Sequence, residues 1–73
     1  MSINPSAAPG ASLTARESEL LDLLCAGYPS KRVRARMQIT HHTYFQYLAQ
    51  AKVKLGADTT HQLIAIYATR GTI

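Results

Sequence analysis

An all-α fold of four short helices is expected from this 73-residue chain, on three observations. Apolar residues recur at three- and four-residue steps. Residues that cap helix N-termini stand ahead of these stretches, and glycines close them. The apolar content of 47% is too high for a chain that stays disordered.

Residues 1–12 (MSINPSAAPGAS) are small, polar and broken by Pro5, Pro9 and Gly10, and read as a disordered arm. They lack the basic start and apolar stretch of a signal peptide. The ordered domain is expected over residues 13–73. Thr14-Ala15-Arg16-Glu17 has the spacing of a capping box, in which hydroxyl and carboxylate each take the other residue's backbone N–H. The first helix then runs from about residue 15 to 26, with Leu20, Leu21 and Leu24 inward and Gly27 as its stop. Ser30 is the expected cap of a short second helix, Lys31–Met37, whose Val33 and Met37 share a buried side. Thr40 caps the third helix, in which Tyr44, Leu48, Ala51 and Leu55 recur at i, i+4, i+7 and i+11, and Gly56 ends it. Asp58 or Thr59 caps the fourth, His61 to about Thr69. Its Leu63, Ile66 and Tyr67 suit the core, which leaves Ile64, Ala65 and Ala68 for another surface. Self-association is one use of that surface and deep burial of the helix is the other. A domain of this size buries only about 60% of what its unfolded chain exposes, so a second copy would help it.

Charge narrows the function. Eight basic residues against four acidic ones give +4 and a pI near 9.7. The excess is local: Lys31, Arg32, Arg34, Arg36, Lys52 and Lys54 lie between Tyr28 and Gly56 with no acidic residue among them. The preceding stretch, Leu13 to Gly27, sets Arg16 against Glu17, Glu19 and Asp22, a net of −2. A basic patch on a small domain favours a polyanion, nucleic acid first. A single cysteine, Cys25, excludes an intrachain disulfide and a cysteine-rich zinc site, and no apolar run is long enough to span a bilayer. A cytoplasmic protein that does not engage membranes is the expectation. Two helices joined by about three residues, the second longer and beside the patch, describe a helix-turn-helix.

The residues Leu13-Thr14-Ala15-Arg16-Glu17-Ser18-Glu19-Leu20-Leu21-Asp22-Leu23-Leu24, with Gly27, Lys31, Ile39-Thr40, Thr43, Leu48 and Lys54-Leu55-Gly56, resemble the LuxR-type (GerE-like) DNA-binding domain. The resemblance runs without a gap to about Ala68. It covers the family's opening Leu-Thr-x-Arg-Glu-x-Glu and its Lys-Leu-Gly exit from the third helix. It implies a bacterial transcription regulator, with the third helix reading DNA and the fourth forming a homodimer. Most of the family carries a sensor or receiver domain ahead of this unit, and the short arm of residues 1–12 makes a stand-alone member the expectation here. The family typically reads Thr-Val-Lys-x-His in the third helix, where this chain has Thr43-Tyr44-Phe45-Gln46-Tyr47. In the second helix the family's Ile-Ala-x-x-Leu becomes Val33-Arg34-Ala35-Arg36-Met37.

On this reading Phe45, Gln46, Ala49 and Gln50 face the bases. Gln46 suits the adenine N6/N7 edge, and Phe45 or Ala49 a thymine methyl. Lys31, Arg32, Arg36, Thr43, Lys52 and Lys54 are the phosphate-contact candidates. Ile64, Ala65 and Ala68 are the dimer candidates, and double-stranded DNA is the expected partner. Phe45 and Tyr47 also describe a protein-binding hot spot. The alternative is therefore an antiactivator that binds another transcriptional regulator with the same fold. Partial burial of Phe45 and Tyr47 is the plainer reading of those rings. His41 and His42 are adjacent and point apart, so they make no joint metal site and are expected in solvent, as is His61. Cys25 is expected as an inert packed thiol. With no carboxylate pair, glycine-rich phosphate loop or nucleophile–base spacing, neither enzyme activity, metal, cofactor nor small-molecule ligand is expected.

Overall fold

The computed structural model describes residues 12–71, so the expected disordered arm lies outside the described residues apart from Ser12. Four helices follow in order: α1 (Ala15–Cys25), α2 (Ser30–Met37), α3 (His41–Leu55) and α4 (Thr60–Gly71). No strand occurs among the described residues. None of the described helices is long and apolar enough to cross a membrane.

The capping box at the start of α1 forms as its spacing requires. The Glu17 N–H donates to Thr14 Oγ1 at 3.1 Å, and the Thr14 N–H to Glu17 Oε1 at 3.0 Å. Thr40 caps α3 by accepting the Thr43 N–H at 3.1 Å. At α4 the cap is Thr59, whose hydroxyl accepts the Gln62 N–H at 3.0 Å, while the Gln62 side chain accepts the Asp58 N–H at 2.8 Å. The second helix departs from expectation. Ser30 is its first helical residue and not its cap, and Pro29 holds the cap position without a side-chain bond. Proline's fixed φ and free carbonyl serve there, the carbonyl accepting from Arg32 and Val33.

Three helix ends share one backbone pattern. The N–H groups of Tyr28, Ile39 and Ala57 each reach back five residues, to Leu23, Arg34 and Lys52. The residue before each is left-handed: Gly27 at φ 96°, Gln38 at φ 58° and Gly56 at φ 73°. This is the Schellman closure, and glycine is its usual residue. At Gln38 it turns α2 into α3 across Gln38-Ile39-Thr40 and sets up the helix-turn-helix.

The core joins Leu20 and Leu21 of α1, Val33 and Met37 of α2, Tyr44, Leu48 and Ala51 of α3, Ala57 of the connection and Leu63 of α4. Leu24 and Leu55, expected fully inward, are half-buried at its margin beside Ile66, Tyr67 and Tyr47. Helix α1 packs on the other three, and α3 packs on α4. Tyr67 ties α4 to α1 by donating its hydroxyl to Asp22 Oδ1 at 2.6 Å.

Candidate nucleic-acid interface

The turn at Gln38 and the Thr40 cap launch α3 away from α2, with its buried stripe on α1 and α4 and its opposite side open. Fifteen residues make it about 22 Å long. On the open side stand His41, Phe45, Ala49 and Val53, at four-residue steps and all exposed. Phe45 keeps 50% of its surface and Val53 44%, the two large apolar side chains most open to solvent among the described residues. Val53 was missing from the outward face read from the sequence, although it completes the four-residue series. Gln46 and His42 are exposed beside the stripe, and Gln50 is half-buried.

The Phe45 ring has two aromatic neighbours. His41 lies one turn back with ring centroids 4.7 Å apart and planes tilted by 54°. Tyr44, only 4% exposed, meets it edge-on at 5.1 Å. Tyr47 does not share this surface. It is half-buried against the core, and its hydrogen bond with Arg16 is the main influence holding that guanidinium's pKa above its usual value. Arg16 also donates to Glu19 Oε1 at 2.9 Å and to the Met37 carbonyl at 2.8 Å, tying α1 to the end of α2.

The expected phosphate contacts divide. Lys31, Arg32 and Arg36 of α2 are exposed, with the Arg36 guanidinium 4.9 Å from the centre of the Tyr28 ring. Lys52 and Thr43 are half-buried, and the Thr43 hydroxyl accepts from that of Thr40 at 3.1 Å. Lys54 is not at the surface. Its side chain is 0% exposed, and its ammonium donates to Glu17 Oε1, the carboxylate of the capping box. A phosphate cannot reach it. Its position accounts for this burial: Lys54 follows Ala51 by three and lies on the inward stripe, while Glu17 precedes Leu20 and Leu21 on the inward side of α1. Two opposite charges on facing inward stripes were the available signal.

Arg34, which replaces a small residue of the family pattern, is half-buried, and its Nε has no hydrogen-bond partner among the described residues. Burial pushes the Tyr44 hydroxyl pKa up, and the Arg34 charge draws it partly back.

On α4, Ile64 is half-buried while Ala65 and Ala68 are exposed. Cys25 is exposed and not packed as expected. Its Sγ lies 3.9 Å from the Ile64 carbonyl, and partial burial, with Asp22 adding, pushes the thiol pKa up and away from thiolate character. His41, His42 and His61 are exposed, and no metal-holding cluster occurs among the described residues.

The sequence of residues 11–67 matches the GerE family, described as bacterial regulatory proteins of the luxR family. No curated protein and no solved structure matches the chain. The match takes in the capping box, the Schellman-closed turn, all of α3 and most of α4. The chain therefore belongs to the luxR family of bacterial regulatory proteins.

Proposed function

We propose that this protein is a DNA-binding transcriptional regulator that acts as a homodimer in the bacterial cytoplasm. Helix α3 enters the major groove and α4 forms the dimer contact. The observation that carries this reading is the exposed side of α3 together with the exposed cations Lys31, Arg32 and Arg36 of α2, the two helices of the helix-turn-helix. Such cations hold the phosphates while the helix meets base edges. Titration of a duplex pool at two salt concentrations tests it. Log K should fall against log salt by about 0.9 for each phosphate neutralised. Absence of duplex binding at low salt refutes the proposal.

A second reading has its own support. The Phe45–Ala49–Val53 series carries no charge, and an exposed aromatic in an apolar series is also how proteins recognise proteins. In that case the domain antagonises another transcriptional regulator. Capture of such a regulator that Phe45→Ala abolishes, in a protein with no duplex affinity, would establish it.

A further inference from the structure

The reading side of α3 offers apolar contact where a charged side chain would grip a base edge, and this restricts what it can recognise. Thymine alone among the four DNA bases presents a methyl group in the major groove, and Phe and Ala are side chains that pack on it. Phe45 suits such a contact for two reasons. Half its surface is free, and its ring is in aromatic contact with those of His41 and the buried Tyr44, contacts that favour the orientation it presents to solvent. Gln46, exposed beside it, has the donor–acceptor pair that matches adenine N6/N7. Ala49 continues the series one turn on, about 6 Å along the helix axis. The exposed cations of α2, the preceding helix of the helix-turn-helix, supply charge complementary to a duplex.

We infer that Phe45 is a specificity-determining residue that reads the 5-methyl group of thymine, so that recognition depends on a methyl and not on a charged contact to guanine. The inference rests on the DNA-binding reading above, and its failure is separable from the failure of that reading.

The experiment begins with duplexes selected from a random pool by the wild-type protein. Each thymine is then replaced singly by deoxyuridine, which removes the methyl and keeps the pairing and the O4 acceptor. At one or two positions affinity should drop about fourfold, the size expected for losing one buried carbon group. Phe45→Ala, a change at an exposed position, should keep the helical circular dichroism and melting temperature and bind thymine and deoxyuridine duplexes alike.

Equal affinity of the wild type for every substituted duplex overturns the inference and leaves DNA binding intact. So does a methyl dependence that persists in Phe45→Ala, since the methyl would then act through DNA shape or another residue. Failure to select any duplex overturns both proposals and favours a protein partner for the Phe45 surface.

Discussion

Lys54 and Lys31 carry the same charge and opposite consequences. Losing the partner of a buried ion pair leaves an uncompensated charge, at about 3–5 kcal/mol. Lys54→Met should therefore destabilise the domain by about 3 kcal/mol in urea unfolding. Adding Glu17→Gln, which keeps a side chain able to complete the capping box, should recover most of that loss. Lys31→Ala should leave stability within about 0.5 kcal/mol and reduce the salt slope of duplex binding by about one. If Lys54→Met left stability unchanged, its ammonium would not be held inside. Tyr67 gives a pH-dependent counterpart. Its hydroxyl is raised from 10.0 to about 12, first by the hydrogen bond to Asp22 and then by burial. A raised folded-state pKa stabilises fully below the unfolded value, so this contribution is present up to about pH 10 and lost between pH 10 and about 12. Tyr67→Phe should cost about 1 kcal/mol at pH 7 and show no loss of its own across that window. Equal unfolding profiles for the two proteins at pH 7 would contradict the α1–α4 tie. Of these residues, Thr14 and Glu17 were legible as a pair because the capping box is local. Glu17 with Lys54 was not, because 37 positions separate them and a lone lysine is ordinarily solvated.

At the level of elements, the helix ends show how far local chemistry reaches. Gly27 and Gly56 marked the stops of α1 and α3 because glycine accepts a left-handed backbone without cost. The same closure at Gln38 carried no such mark, and the stop of α2 had to be inferred from the next cap, Thr40. Gln38 adopts φ 58° and ψ 47°, a conformation disfavoured for residues with a Cβ. Gln38→Gly should stabilise the domain by up to about 1 kcal/mol in thermal unfolding. A destabilised variant would mean that the glutamine side chain contributes more than its backbone costs. The inward stripe of α3 followed from its period, with Tyr44, Leu48 and Ala51 buried as spaced. Its outer face was legible only in part. Phe45, Gln46 and Ala49 are exposed as read, whereas Tyr47 folds back toward Arg16 and Val53 takes an outward place.

For the molecule as a whole, one helix face bears on assembly. Leu63 is fully buried while Ile64, Ala65 and Ala68 lie on other sides of α4. If that face joins two copies, size-exclusion chromatography with light scattering should give a dimer for the wild type and a monomer for Ile64→Asp. A wild-type monomer at every concentration would remove the dimer from the proposed function. The Glu17–Lys54 pair has one more effect, on alignment. An apolar stripe can slip along its neighbour and still bury carbon, but an ion pair has a single address. Sliding α3 along α1 by one turn carries the ammonium about 5.4 Å from its carboxylate, beyond hydrogen-bond reach. The pair thus acts as a register pin, and whatever α3 reads, it reads from a fixed origin set in the first turn of the domain.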